Sequence, residues 1–242
     1  MKNQLNTLIL LLLMSSVTIA CAQWDGTSER ASGPVTKKQL DLDGFSGIGL
    51  TLSADVHIRQ GNRQEVEIEA RESVIENITT NVRNDFWKIG FERNMRNYDK
   101  ITIWITVPEL DRLSVSGSGD IKGKGKFEDL EELDLVISGS GNINLEFEAE
   151  KTSCTLTGSG DMTVVGTTKT QKISVTGSGD VSSFDLDTRD CVVRITGSGD
   201  CEVSASDNLE VYLTGSGDVD YKGDPNVRSR ILGSGDIRNR GK

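Results

Sequence analysis

One histidine, three prolines, four cysteines and 5 % aromatic residues are thinly spread over 242 residues. A lone imidazole leaves little for acid–base catalysis and no partner for a zinc site. Scarce proline excludes Pro-rich linkers and collagen. Basic residues are also in deficit: 27 Lys+Arg stand against 37 Asp+Glu, a net charge of −10. That balance argues against nucleic acid or anionic lipid as partner, since both reward positive charge. The three tryptophans, Trp24, Trp87 and Trp104, give few platforms for stacking on sugars. What is present is a 35 % apolar set with 26 glycines. This composition is globular, and the length is enough to bury a sizeable core.

Residues 1–22 have the make-up of an export leader, with Lys2, an apolar run Leu8–Met14 and small residues through Ala20. The run is too short to span a bilayer. Two processing sites remain open. Ala20-Cys21-Ala22 fits a small-x-small cleavage that releases Gln23. Thr18-Ile19-Ala20-Cys21 resembles a bacterial lipobox, with Thr18 where leucine is usual, and makes Cys21 a lipidation candidate. Either route predicts an exported protein of the periplasm, outer membrane or cell surface. A lipid on Cys21 is then its one expected membrane contact. Loss of Lys2 brings the net charge to −11.

An internal repeat dominates the rest. Gly-Ser-Gly recurs seven times at 18- to 22-residue spacing, followed by Asp in six copies and Asn in one. The expected structural turns are Gly117, Gly119 and Asp120; Gly139, Gly141 and Asn142; Gly158, Gly160 and Asp161; and Gly177, Gly179 and Asp180. They continue with Gly197, Gly199 and Asp200; Gly215, Gly217 and Asp218; and Gly233, Gly235 and Asp236. Two residues before the first glycine stand Val115, Ile137, Leu156, Val175, Ile195, Leu213 and Ile231. Four before it stand Leu113, Leu135, Cys154, Ile173, Val193, Val211 and Ser229, and the residue after Asp/Asn is again apolar. Such period-two alternation predicts strand, tight turn, strand, with one face buried. No single unit hides that face, but stacked units do, each strand pairing with its equivalent about 4.8 Å away. About 19 residues suits one coil of a parallel β-helix, whereas a propeller blade needs about 40. The fold class is therefore all-β, a solenoid.

After a polar linker at 23–36, the N-terminal half reads as looser coils. Strands are expected at Ile48–Leu52, Val56–Ile58, Val66–Ala70, Trp87–Phe91 and Ile101–Val107. Ser53-Ala54-Asp55-Val56 looks like a degenerate turn motif, and Glu72–Val82 is expected to hold a helical turn or a loop. Residues 37–242 are taken as one domain, irregular over 37–110 and regular over 111–242. A separate sandwich over 37–110 is the alternative.

Ala54-Asp55-Val56, Pro108-Glu109-Leu110, the serial GSGD turns and the late Tyr221-Lys222-Gly223-Asp224-Pro225 resemble one bacterial family. It is named putative auto-transporter adhesin, head GIN domain, and the resemblance covers about residues 40–240. It implies a right-handed β-helix of the pectin-lyase type, exported in Bacteroidetes-like bacteria, with GSG turns joining two sheets. It also implies a proposed role in adhesion with no assigned catalytic residues.

The aspartates form the sharpest candidate site, because in a solenoid they stack at about 5 Å. Either Ca²⁺ offsets their repulsion or each carboxylate caps turn N–H groups; the capping reading is preferred, with no metal and no cofactor expected. Cys154, Cys191 and Cys201 are expected as free thiols in the core, His57 as outward-facing, and Trp104 as outward-facing or covering the cap. The leading expectation is a non-enzymatic cell-envelope protein that binds an unidentified surface ligand, a glycan or a protein. A purely structural envelope component is the alternative, and a polysaccharide-active enzyme a weaker one. Oligomeric state is left open.

Overall fold

A computed structural model describes residues 28–241. The leader at 1–22, with Cys21 and both processing sites, lies outside the described residues. The N-terminal elements are β1 (Glu29–Arg30), β2 (Val35–Gln39), β3 (Gly47–Leu50), β4 (Asp55–Gln60), β5 (Glu65–Arg71) and one helical turn α1 (Glu72–Ile75). There follow β6 (Val82–Arg83), β7 (Phe86–Ile89), β8 (Met95–Arg96) and β9 (Thr102–Val107). The repeats supply β10 (Arg112–Gly117), β11 (Asp120–Gly139), β12 (Asn142–Gly158), β13 (Met162–Gly177), β14 (Val181–Ser183) and β15 (Leu186–Gly197). The last strands are β16 (Cys201–Ser204), β17 (Asn208–Gly215), β18 (Val219–Lys222), β19 (Asn226–Gly233) and β20 (Ile237–Asn239).

The protein is a β-solenoid of about seven turns with coils about 19 residues apart. Every repeat strand pairs in parallel with its equivalent, and the glycine turns set the register: Gly117, Gly139, Gly158, Gly177, Gly197, Gly215 and Gly233 stand one above another. Alternation dictates the core. Val115, Ile137, Leu156, Val175, Ile195 and Leu213 form one buried column; Leu113, Leu135, Cys154, Ile173, Val193 and Val211 form the next. Each fully buried aliphatic side chain contributes about 1.5–3 kcal/mol of transfer free energy, so the columns are the main source of cohesion.

Glycine is required at the corner for two separate reasons. Gly158 has φ +127°, a conformation side chains rarely tolerate. Gly160 has no such angle, but a Cβ there would overlap the carbonyl oxygen of Gly141 in the coil below.

The N-terminal half continues the same ladders and then closes them. β3 pairs in parallel with β10 on one side and β7 on the other, and β4 does so with β11 and β9. Asp55 aligns with Asp120 and Val56 with Ile121, so Ser53-Ala54-Asp55-Val56 stands in the turn register. β5 then pairs antiparallel with β9, and β2 antiparallel with β5. This change of direction ends the stack. The structure corrects the linker reading over its described part: β1 and the start of β2 fall inside residues 28–36. The cause is backbone pairing rather than apolar burial. Glu29 and Arg30 pair with Met95 and Arg96, the N–H of Glu72 donates to the carbonyl of Pro34, and Thr36 aligns with Ala70. A polar composition does not exclude such pairing.

Candidate functional site: the acidic ridge

At six of the seven repeat corners the sequence hydroxyl-Gly-Ser-Gly-Asp/Asn turns the chain (Leu232 replaces the hydroxyl at the seventh), and stacking converts it into three exposed or half-exposed columns. The first holds Ser116, Ser138, Thr157, Thr176, Thr196 and Thr214, the second the turn serines, the third the aspartates. The backbone ladder runs through the turn itself. The N–H of Ser159 donates to the carbonyl of Gly139 at 2.9 Å, and Ser178, Ser198, Ser216 and Ser234 do the same with their own preceding coils.

The carboxylates are tied together by a ladder of their own. Asp200 Oδ1 accepts the N–H of Asp218 at 2.7 Å, Asp180 Oδ1 that of Asp200 at 2.8 Å, and Asp161 Oδ1 that of Asp180 at 3.3 Å. Asp218 Oδ1 accepts the N–H of Asp236 at 2.8 Å. Asn142 fits both ways: its amide donates to Asp120 Oδ1 at 2.8 Å, and its Oδ1 accepts the N–H of Asp161 at 3.0 Å. Asp161, Asp180, Asp200 and Asp218, and Asn142 with them, therefore cap the next coil rather than their own turn, a distinction that sequence alone does not draw.

Magnitudes decide what this arrangement needs. Two carboxylates about 5 Å apart repel by about 1 kcal/mol in water, less in salt. A hydrogen bond to a charged acceptor contributes about 1.5–3 kcal/mol. The amide ladder thus outweighs the repulsion without a cation. Among the described residues no group of three or more His, Cys, Asp or Glu side chains is placed to hold a metal ion.

Cations pair with the two ends of the column. Arg238 lies 2.8 Å from Asp218 and 2.9 Å from Asp236, while Lys122 lies 3.6 Å from Asp120 and Lys100 lies 2.8 Å from Asp55. The Asp236 amide, followed by Arg238 and Arg240, holds the Asp218 carboxyl below its ordinary 3.8. Between the ends, Asp161, Asp180 and Asp200 have no ion-pair partner among the described residues and, with Glu202, line a groove of about 580 Å³ whose wall also includes Arg238 and Arg240. The ridge is thus an anionic, hydroxyl-edged strip repeating at the coil spacing, open to many weak polar contacts along its length.

The remaining candidates are placed as follows. Cys154, Cys191 and Cys201 are free and buried. Burial pushes the Cys154 thiol up to about 12, and pushes Cys191 and Cys201 up as well. His57 is half-buried, its ring 6.2 Å from that of Trp104; burial, then nearby Lys124, lowers its pKa. Trp104 is half-buried too, and Lys37 Nζ sits 4.0 Å over its ring, so it is covered from outside. Sequence reasoning missed an inward polar group. Thr152, Thr168, Gln171, Ser183 and Thr188 are buried, and Gln171 Oε1 accepts from Ser183 Oγ at 3.4 Å. The signal was present: Thr152 and Gln171 interrupt the column of Leu133, Cys191 and Leu209.

The family described as putative auto-transporter adhesin, head GIN domain, matches residues 44–225. The chain belongs to this family. Solved structures with the same fold include a putative adhesin from Bacteroides fragilis, 21 % identical, with a TM-score of 0.81 over 88 % of this chain and 100 % of that one. A putative lipid binding protein from Parabacteroides distasonis is 24 % identical, with a TM-score of 0.74 over 88 % and 99 %. A putative adhesin from Parabacteroides merdae is 20 % identical, with a TM-score of 0.72 over 88 % and 98 %. At these identities the likeness establishes the fold alone. No curated protein matches the chain.

Proposed function

We propose that this head GIN domain protein is an exported, non-enzymatic component of the cell envelope that uses the flank of its solenoid as a binding or adhesive surface. The observation that carries the reading is the ridge. Hydroxyl, serine and carboxylate columns run coil after coil, exposed, their register fixed by the backbone. A repeating strip of weak contacts gains avidity from a repeating ligand such as a glycan chain, with no deep pocket needed. The family's adhesin description is in keeping with this role. Other features fit it as well: the thiols are buried, and the carboxylates are spread one per coil rather than paired across a cleft as glycoside hydrolysis requires. Export rests on the leader at 1–22. N-terminal sequencing and mass spectrometry of the envelope-derived protein test it: acylated Cys21 or a free Gln23 supports export, and an intact Met1 in the cytoplasm refutes it. A glycan array combined with whole-cell binding tests the surface role, and turnover of a polyuronate would refute the non-enzymatic reading.

A further inference from the structure

The two ends of the solenoid are finished differently. At the N-terminal end the acidic, alternating strand β5 is covered by the basic β2, whose Lys37 lies 3.1 Å from Glu67 and 3.4 Å from Glu69. At the other end β19 pairs through one edge with β17, and among the described residues nothing pairs with its second edge. All eight residues of β19 are exposed. The inward columns run out there: Leu209 and Leu213 are buried, but Val227 and Ile231 above them are each 39 % exposed. This end is also basic. Residues 221–242 carry six Lys/Arg against two Asp, in a chain whose net charge is −10. Arg238 and Arg240 are engaged by Asp218, Asp236 and Asp220. Arg228 reaches Glu210 only at 3.7 Å while 84 % exposed, and Arg230 has no ion-pair partner among the described residues.

We propose that the open edge of β19 is a docking site for an extended acidic segment of a partner protein, which adds as the next parallel strand. Parallel addition continues the pattern of every repeat coil below it. In that register Val227-Arg228-Ser229-Arg230-Ile231 selects the pattern apolar, acidic, any residue, acidic, apolar. The acids meet the two arginines, and the apolar side chains cover Val227 and Ile231. Backbone hydrogen bonds would supply affinity and alternate side chains specificity, the general logic of strand addition. The molecule already holds an acidic strand against a basic one, β5 against β2, although antiparallel.

Other occupants fit less well. A two-fold pairing of two copies through β19 that keeps inward residues inward sets Arg228 opposite Arg230 of the other copy, and directly opposed like charges are destabilising in a sheet. A head-to-tail contact meets Lys37 and Lys38 on β2, again like charge. A membrane surface would satisfy the arginines but leave an eight-residue strand edge without hydrogen-bond partners in hydrocarbon. This inference is independent of what the ridge binds.

The test is fluorescence anisotropy with a labelled peptide copying residues 64–70, Gln-Glu-Val-Glu-Ile-Glu-Ala, titrated with the full protein. R228E/R230E is expected to weaken binding at least tenfold while circular dichroism keeps its strand spectrum. A peptide with Lys in place of each Glu should bind only that variant. If the double variant does not fold, Arg230→Glu alone, which breaks no ion pair, carries the same comparison. Equal affinity for both peptides, no saturation up to about 1 mM, or indifference to the arginine changes would overturn the proposal. So would R228E/R230E-sensitive binding to phosphatidylglycerol vesicles, or R228E/R230E-sensitive dimerisation in sedimentation, in the absence of peptide binding.

Discussion

Replacing Asp200 with asparagine and with alanine separates the two things its carboxylate does. Asp200 Oδ1 accepts the N–H of Asp218 at 2.7 Å, and its own N–H donates to Asp180 at 2.8 Å. Its charge stands about 5 Å from two like charges, at about 0.8 kcal/mol each in water before screening. Asparagine keeps the acceptor and removes both repulsions, so loss of charge assistance and relief of repulsion nearly cancel. Alanine removes a bond contributing about 1.5–3 kcal/mol and regains about 1.5 kcal/mol from the same relief at low salt. At about 150 mM salt the relief shrinks and the alanine cost approaches the full bond. With 1 kcal/mol shifting the melting temperature of a chain this size by about 2–4 °C, Asp200→Asn should stay within about 2 °C of the parent. Asp200→Ala should fall by about 3–12 °C at 150 mM salt and by less at 10 mM. Differential scanning calorimetry at the two salt concentrations, with and without Ca²⁺, reads this directly. Asparagine as damaging as alanine, with a calcium-dependent gap from the parent, would refute the amide ladder and make the column a cation site. Asn142, which accepts the N–H of Asp161 at 3.0 Å, already occupies this column.

Gly160→Ala puts a Cβ into the carbonyl oxygen of Gly141, backbone against backbone, and should destabilise by at least about 3 kcal/mol in denaturant titration; a loss under about 1 kcal/mol would contradict the stacking. Cys154, Cys191 and Cys201 should resist alkylation at pH 8 in the native protein and all react in denaturant, as peptide mapping will show, because burial holds their thiols far above that pH. Asp218, whose folded pKa is depressed below 3.8, contributes stability that is present above that value and lost as pH falls through the lower folded value. Asp218→Asn should flatten the acid limb of the melting-temperature profile below pH 4, and an unchanged limb would count against the contacts with the Asp236 amide and Arg238.

Most of the fold is legible in the sequence because a solenoid writes its geometry into a repeat. One glycine turn per coil fixes the register, and alternation around it assigns Val115, Ile137, Leu156 and their equivalents to the core. The degenerate Ser53-Ala54-Asp55-Val56 carries the same information with less redundancy, and it too stands in register. What the sequence left unread depends on contacts between coils or across the cap. The cap is built by a reversal of strand direction at β5, which no local pattern announces. The aspartate ladder joins residues 18 to 20 positions apart, so a turn motif read alone suggests a bond within the turn. The basic end was averaged away in a net charge of −10, since Arg228 and Arg230 matter only once they lie together on one unpaired edge.

If the ridge is a binding surface rather than a by-product of tight turns, changing its exposed hydroxyls should remove binding and leave the fold intact. A glycan array and whole-cell binding compare the parent with T157K/T176K/T196K, three exposed hydroxyl positions changed together. Binding is expected to fall at least tenfold while melting temperature and strand spectrum hold. Undiminished binding by the folded variant, or no binding by the parent to any glycan or cell, would contradict it.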